Sequence, residues 1–375
     1  MTADPLPAPR PAPGDGLRAF GWDDRHAAAF AKLVANGAGG GPREAGRVVV
    51  EERGRYLVWM EGGEVPAAVS GRFRHDAAEA ADFPAVGDWV ILEPAAGDSI
   101  IRAVLPRRTA LVRRPPADYG APVQVLATNV DTVFVMTSLD HDLKPRRLER
   151  YLAAVWESGA RPVIVLSKAD VAADLAGALA AVGSVAVGVD VLVTSALRRT
   201  GMDDLRAHLV EGRTVAVIGS SGVGKSTLIN ALLGEERLDT RGIREDDSRG
   251  RHTTTRRQLI RLERGLIVDT PGMRELALAD DAGVDQAFGD IEELAGGCRF
   301  ADCGHRVEPG CAVLEAIESG TLAPERLDAQ RKLAREGARA ARQHDPVARL
   351  AERRRWTAVH KSVSRHMKTK YGDDR

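Results

Sequence analysis

The feature that most constrains the fold of this chain is the stretch GSSGVGKS at positions 219–226. It fits the pattern G-x-x-x-x-G-K-[ST] without a deviation, and it joins the strand-like TVAVI to the helix-like STLINALLG. Glycines let the backbone turn its N–H groups toward an anion, while Lys225 adds positive charge and the Ser226 hydroxyl suits Mg²⁺. We therefore predict a phosphate-binding loop that consists of Gly219, Ser220, Ser221, Gly222, Val223, Gly224, Lys225, Ser226 and Thr227.

A second motif, Ser167-Lys168-Ala169-Asp170, follows the apolar run VIVL and indicates which base is bound. A fixed carboxylate at Asp170 accepts hydrogen bonds from the N1–H and the exocyclic amine of guanine together, whereas adenine offers no such donor pair. Thr194-Ser195-Ala196 ends another strand-like run, where a small residue and a backbone N–H can meet the guanine carbonyl oxygen. These segments favour GTP, and a P-loop ATPase with a misread motif is the alternative.

Three further segments suggest how the nucleotide is hydrolysed. The strand-like GLIVDT leads into Asp269-Thr270-Pro271-Gly272, whose aspartate can bind Mg²⁺ through water and whose glycine N–H can contact the γ-phosphate. Upstream lies GRHTTT at positions 250–255, in which Thr254 or Thr255 can complete the Mg²⁺ shell. Met273 follows the D-x-x-G glycine and cannot orient a water molecule. His252 is therefore our candidate catalytic residue, with a polar loop residue or an RNA contact as the alternative.

All three cysteines of the chain lie in one short loop together with a histidine. Cys298, Cys303, His305 and Cys311 form the pattern C-x4-C-x-H-x5-C, which offers three thiolates and one imidazole. Tetrahedral structural zinc takes such a set and leaves no coordination position open for chemistry. We predict one structural zinc ion at this loop, and a redox or chance cluster is the alternative.

The remaining sequence divides into regions with different secondary-structure patterns. Five short strand-like runs between positions 46 and 115 predict a small antiparallel β-barrel, OB-like by strand count and length, although an SH3-like barrel would give a similar pattern. Alternating strands and helices over 120–282 predict an α/β domain with a mainly parallel sheet. Residues 283–375 read as a mainly helical zinc-binding region with a basic tail. The Pro/Gly-rich leader, 1–45, is expected to be largely disordered with one short helical stretch.

Composition adds limits on location and partners. The chain of 375 residues has 53 Lys plus Arg and 53 Asp plus Glu, so only the distribution of charge is informative. From Thr321 to Arg375 there are 15 basic against 7 acidic residues, which suits a polyanion such as RNA. Because no secretory signal or membrane-spanning run is present, we expect a cytoplasmic protein with no membrane partner. A monomer is the default expectation.

Taken in order, the base motif, GSSGVGKST, GRHTTT, DTPG and the cysteine loop resemble the circularly permuted GTPases of the RsgA (YjeQ) family, which depend on the small ribosomal subunit. The resemblance covers about residues 46–320 and implies an OB barrel, a permuted GTPase domain and a zinc domain. It also implies GTP hydrolysis stimulated by the small subunit during its late maturation, with rRNA contact. His252 then stands at the family's switch histidine, while Ser167 replaces the usual Asn.

The order of the motifs follows from the permutation. A doubly wound sheet often has its chain ends close together, so joining them and cutting elsewhere preserves the pocket. A competing function of another class is an RNA-binding assembly protein that uses the nucleotide as a sensor, with incidental hydrolysis. A non-hydrolysable GTP analogue separates the two, because only a cycling factor should stay trapped on the subunit.

Overall fold

The computed structural model describes residues 15–36, 41–95, 97–113, 124–235, 238, 257–269 and 282–344. The chain divides into two compact units, Met1–Ala277 and Leu278–Arg375. The first unit carries the barrel and the α/β sheet, and the second carries the cysteine loop. The predicted boundaries between a leader, a barrel, a GTPase domain and a zinc domain stay a prediction.

The first unit begins with a 3-10 turn, Asp15–Phe20, and helix α1, Asp24–Ala35. Asp23 caps α1, since its carboxylate accepts hydrogen bonds from the backbone N–H groups of Arg25 and His26. Trp22 packs edge-on against the buried Trp89, at 4.8 Å between ring centroids. The predicted short helix therefore forms, and its preceding turn packs on the barrel.

Five strands form the predicted barrel. They pair in the order β1-β2-β3-β5-β4, and a further β1–β4 pairing closes the barrel. β3 and β5 are parallel, while the other pairs are antiparallel. Their inward residues, such as Val48, Val58 and Ile101, are fully buried. The strands are β1 (Glu44–Glu52), β2 (Arg55–Met60), β3 (Gly63–Val69), β4 (Trp89–Glu93) and β5 (Ser99–Val104), with helix α2 (Gly71–Asp76) after β3.

The barrel is fused to the α/β sheet rather than tethered to it. A two-stranded ribbon, β6 (Ala110–Arg113) with β7 (Gln124–Thr128), follows the barrel in the chain. The sheet then runs β10-β9-β8-β11-β13-β12, and β12 pairs antiparallel with β1 of the barrel. Its strands are β8 (Thr132–Ser138), β9 (Arg161–Ser167), β10 (Asp190–Val193), β11 (Thr214–Gly219), β12 (Gln258–Arg261) and β13 (Leu266–Asp269).

Five strands of this sheet, β10, β9, β8, β11 and β13, are mutually parallel. Four of them, β9, β8, β11 and β13, are buried along almost their whole length, as the nearly unbroken apolar runs of β8, β9 and β11 require, whereas the edge strand β10 is only partly buried. All five carboxyl ends therefore lie at one edge, which is where open α/β sheets bind ligands. The helices between them are α3 (Pro145–Glu157), α4 (Leu175–Gly183), α5 (Met202–Ala207) and α6 (Lys225–Leu233).

The described part of the second unit contains helices and loops only. Arg326 is buried at its centre, donates to both carboxylate oxygens of Asp290 at 2.7 Å, and lies over the ring of Phe288. The cysteine loop lies between the second and third of four helices. These are α7 (Ala282–Ala287), α8 (Gly289–Ala295), α9 (Ala312–Glu318) and α10 (Pro324–His344).

Candidate functional site

The phosphate-binding loop turns directly from buried β11 into α6. Gly222 and Gly224 have φ values of 82° and 96°, a backbone region that residues with a side chain rarely adopt. The ammonium of Lys225 lies 2.8 Å from the carbonyl of Gly219 and 2.7 Å from that of Ser220, so it faces back into the loop. The lysine charge is therefore held at the concave side of the loop, where a phosphate would lie.

The base motif lies at the end of β9, two strands away from the loop, and contacts it directly. The buried hydroxyl of Ser167 is 2.6 Å from the carbonyl of Val223 and 3.3 Å from that of Thr137. A hydroxyl has one proton, so the shorter distance identifies Val223 as the acceptor. Ser167 thus joins the base motif to the phosphate-binding loop, although it stands where Asn is usual.

The third segment lies beside the base motif. Ser195 is buried, and its hydroxyl donates a short hydrogen bond to the exposed Asp170. This bond lowers the pKa of Asp170 and orients its carboxylate. The N–H of Ala169 donates to the carbonyl of Thr194 at 3.0 Å, and Ala196 follows in the same turn. The structure therefore brings together segments 167–170, 194–196 and 219–227, which are distant in the chain.

A residue that the sequence motifs did not indicate, Asp140, also belongs to this edge. It follows β8 and accepts a hydrogen bond from the ammonium of Lys168 at 2.7 Å. The hydroxyl of Ser138 and the N–H of His141 donate to its other oxygen, each at 2.6 Å. The bonds from Lys168 and Ser138 hold the pKa of Asp140 well below its usual range. The only sequence signal was an acidic residue just after a buried strand.

Asp269 ends β13, next to β11, and is buried. Burial raises the pKa of Asp269 to about 6, while the nearby charge of Lys225 lowers it. A carboxylate in this place suits a cation next to the phosphate-binding loop. The other predicted hydrolysis residues, His252, Thr254, Thr255 and Gly272, lie outside the described residues.

The predicted zinc ligands converge in the second unit. The ligand atoms of Cys298, Cys303, His305 and Cys311 all lie within 4.8 Å of one another. Cys298 Sγ is 3.9 Å from Cys311 Sγ, near the roughly 3.8 Å expected for two thiolates on tetrahedral zinc. His305 Nδ1 is 3.4 Å from Cys311 Sγ. These four residues fit one zinc ion in both donor type and spacing.

Helix α9 also favours the thiolate form of Cys298. Burial raises the pKa of the Cys298 thiol, but hydrogen bonds from the backbone N–H groups of Val313 and Ala312 outweigh burial, and the net shift is downward. Those N–H groups belong to the first turn of α9, where a helix carries partial positive charge. The shift at Cys298 therefore favours the thiolate, the form that binds a metal. At Cys303, by contrast, a hydrogen bond from the backbone N–H of His305 lowers the thiol pKa, but burial and the neighbouring thiols outweigh it and raise the pKa to about 11.

Two arginines near the end of the barrel in the chain, Arg102 on β5 and Arg107 just after it, are held by acidic side chains. Arg107 donates to both oxygens of the buried Asp88, at 2.9 and 2.7 Å, and Arg102 pairs with Glu93 at 2.8 Å. These two charges are neutralised by structural partners. Arg108 remains exposed and lies at a separate polar cavity.

Comparisons with known proteins agree with this geometry. The family model for the RsgA GTPase matches residues 104–279. A small ribosomal subunit biogenesis GTPase RsgA of Opitutus terrae is 46% identical over 357 residues, covering 92% of this chain and 96% of that relative. YjeQ from Thermotoga maritima is 26% identical with a TM-score of 0.58, and the match covers 78% of this chain and 98% of that structure.

A second solved structure, that of "YloQ, a circularly permuted GTPase", is 23% identical with a TM-score of 0.55; the match covers 81% of this chain and 96% of that one. This likeness supports the fold, and the predicted fold class is confirmed: a five-stranded barrel, a permuted P-loop GTPase sheet and a helical C-terminal unit with the Cys/His cluster. Among the described helices, none is long and apolar enough to span a membrane. The chain belongs to the RsgA family of GTPases.

Proposed function

We propose that this protein binds GTP at the carboxyl edge of its parallel sheet, hydrolyses it, and acts in the biogenesis of the small ribosomal subunit, with that subunit and its rRNA as partners. The convergence of segments 167–170, 194–196 and 219–227 on one edge supports the nucleotide site. The name of the Opitutus terrae relative supports the role in biogenesis. Since ribosomal subunits mature in the cytoplasm, that is the compartment we propose.

The base is recognised by the carboxylate of Asp170, which the hydrogen bond from the Ser195 hydroxyl holds in place. The stem of Lys168 packs over the base, and residues near Ala196 meet the guanine carbonyl oxygen. Gly219 to Thr227 enclose the phosphates, and Lys225 offers its charge to the outer ones. Because Ser167 bonds the loop to the base motif, both ends of the nucleotide are held by one connected structure.

Two metal ions fit this chain. Mg²⁺, when bound with GTP, supplies positive charge that stabilises the departing phosphate oxygens. Ser226 and Asp269 would hold it, together with Thr254 or Thr255. Zinc would be held by Cys298, Cys303, His305 and Cys311, where it supplies stability to a loop with little core of its own.

For hydrolysis, we assign His252 to position the attacking water, since Met273 cannot do so. Gly272 would contact the γ-phosphate through its N–H. In this proposal the barrel and the basic C-terminal end contact rRNA, and that contact orders GRHTTT, so the GTPase rate rises when small subunits are added.

The nucleotide assignment is tested with Asp170→Asn in the full-length protein. An amide in this position cannot accept from both guanine donors, so the preference for GTP over ATP should fall by more than tenfold in calorimetric titrations. Asp190→Asn is a matched control, because that exposed aspartate on β10 pairs with Arg161, away from the motif. Equal binding of GTP and ATP by the wild type would refute the site.

Coupling to the ribosome is tested by the GTPase rate with and without purified small subunits. We expect a steep rise for the wild type and little rise for His252→Ala. If GTP binds well but subunits leave the wild-type rate unchanged, the coupling is wrong even though the nucleotide site stands.

A further inference from the structure

A polar cavity of about 450 Å³ lies at the end of the parallel sheet opposite to the nucleotide edge. Gly212 and Arg213 line it and immediately precede β11, whose far end is the phosphate-binding loop. Asp131, just before β8, lies beneath it. A strand of six residues separates the two ends by roughly 17 Å. The cavity is therefore distinct from the nucleotide site.

Arginines from four separate segments meet at this cavity. The 3-10 turn before α1, the first turn of α1, the connection from β5 to β6 and the residue before β11 each supply one. Asp23 and Glu211 also line the cavity, and Asp131 accepts hydrogen bonds from two of the arginines, so four arginines and three acidic residues lie at this place. The carboxylate of Asp23 caps α1, and its Oδ1 lies 2.7 Å from Nδ1 of His26. The arginines are Arg18, Arg25, Arg108 and Arg213.

Two of the guanidinium groups are held side by side. Arg108 and Arg213 each donate one hydrogen bond to the same oxygen of Asp131, both at 2.6 Å. The other oxygen of Asp131 accepts from the N–H of Thr214 at 2.8 Å, which fixes the carboxylate. One carboxylate charge cannot neutralise two guanidinium groups, and each retains further donors in its planar fork. Such a pair suits an anion with several acceptor oxygens.

Close backbone packing brings the remaining arginines to the same place. Gly21 has a φ of 90°, and a Cβ there would lie 2.7 Å from the carbonyl of Gly212. The turn that carries Arg18 therefore lies directly against the turn that carries Arg213, which no larger residue at position 21 would allow. The cavity is built by the folded backbone rather than by chance side-chain placement.

We propose that Arg18, Arg25, Arg108 and Arg213 form a second phosphate-binding site, distinct from the nucleotide site. Its ligand is a phosphate group, carried either by the backbone of RNA or by a free polyphosphate. Arginine forks bind phosphate oxygens in pairs, and RNA presents such groups at regular spacing. The identification of RNA as the carrier of the phosphate depends on the proposed function, whereas the proposal that the site binds phosphate does not.

The RNA arm of the test measures how salt weakens binding of the full-length protein, loaded with a non-hydrolysable GTP analogue, to small subunits. We expect Arg25→Gln/Arg213→Gln to reduce the slope of log affinity against log salt by about 0.7–0.9 for each RNA phosphate that the variant no longer neutralises. Arg206→Gln is the matched control, since Arg206 is exposed on α5 and pairs with Asp203 outside the cavity. Its slope should equal that of the wild type.

The second arm titrates inorganic tripolyphosphate into protein whose nucleotide site is filled with GDP. If the wild type shows a heat of binding and the double variant does not, the ligand is a free polyphosphate. If the salt slope of subunit binding changes, the ligand is RNA. Either result supports the site. One GDP bound per chain shows that each variant is folded. If the double variant matches the wild type in both arms, the proposal is wrong. Stimulation of the wild-type GTPase by subunits tests the proposed function separately.

Discussion

Lys168 is placed by Asp140, and this pair allows a test at the scale of one residue. Lys168 adopts a left-handed backbone with a φ of 57°, which presents its side chain along the nucleotide edge. Without Asp140 the ammonium has no fixed partner there, and the stem loses its orientation over the base. We expect Asp140→Ala to weaken GDP affinity about fivefold, or about 1 kcal/mol, because the pair is partly exposed.

The measurement for Asp140 is GDP affinity by calorimetry, beside kcat at saturating GTP. The affinity should fall while kcat changes little, which a general loss of structure would not produce. Asp142→Ala is the control, since Asp142 lies in the same loop but pairs with Arg147 at 2.6 Å. Equal losses in the two variants would count against a positioning role.

Asp269 permits a pH prediction at the same scale. Burial raises its pKa in the folded protein to about 6, above the usual 3.8, so folding favours the protonated form. The contribution of Asp269 to the free energy of unfolding is therefore complete below its pKa in the unfolded chain. It is lost as pH rises through about 6. Asp269→Asn should therefore stabilise the protein without nucleotide and Mg²⁺ by about 3 kcal/mol at pH 8, with little gain near pH 4. Urea unfolding at the two pH values measures this, and a gain that is equal at both would contradict it.

At the scale of elements, helix α10 supports the cysteine loop, the proposed zinc site. Arg331 on α10 donates to the carbonyl of His305 at 2.5 Å, and His305 has a φ of 54°, which a non-glycine residue adopts only with support. We expect Arg331→Ala to weaken zinc affinity by about tenfold, as the loss of a partner outside the ligand set does elsewhere. Competition with a chelator measures the affinity.

Arg335 provides the control on the same helix. It is exposed and bonds to the carbonyl of Arg331 rather than to the loop, so Arg335→Ala should leave zinc affinity unchanged. If both variants release zinc equally readily, α10 stabilises the unit in general and does not hold His305.

At the scale of the whole molecule, one buried arginine joins parts of the first unit. Arg47 on β1 donates to the carbonyls of Phe20, Gly87 and Asn129 and to the hydroxyl of Thr214. These acceptors belong to the N-terminal turn, the barrel and the start of the α/β sheet. Burial lowers the pKa of Arg47 to about 10, so it stays charged at neutral pH. The barrel and the sheet are thereby locked as one body.

We expect Arg47→Met to cost about 3 kcal/mol or more, since it leaves buried carbonyls without donors. In calorimetry, the first unit of the wild type should unfold in one transition, whose temperature GDP raises. In the variant, the barrel and the sheet should unfold in separate transitions, and GDP should raise the temperature of only one of them. Arg55→Met on the exposed side of β2 is the control and should keep the single transition. A single GDP-sensitive transition in Arg47→Met would mean that β1–β12 pairing alone couples the two parts.

The amino-acid sequence by itself determined the fold class, through its strand-like runs and their alternation with helices. It also indicated the candidate nucleotide loop and metal cluster, because each motif needs particular residue types at short spacing: glycines at 222 and 224, Lys225, and four Cys and His residues between 298 and 311. Only the tertiary structure decided that Ser167 bonds Val223, that Asp140 holds Lys168, and that Arg107 is structural while Arg108 faces a cavity. These contacts join residues far apart in the chain, and their geometry depends on strand order and on backbone close approach, which no local pattern encodes.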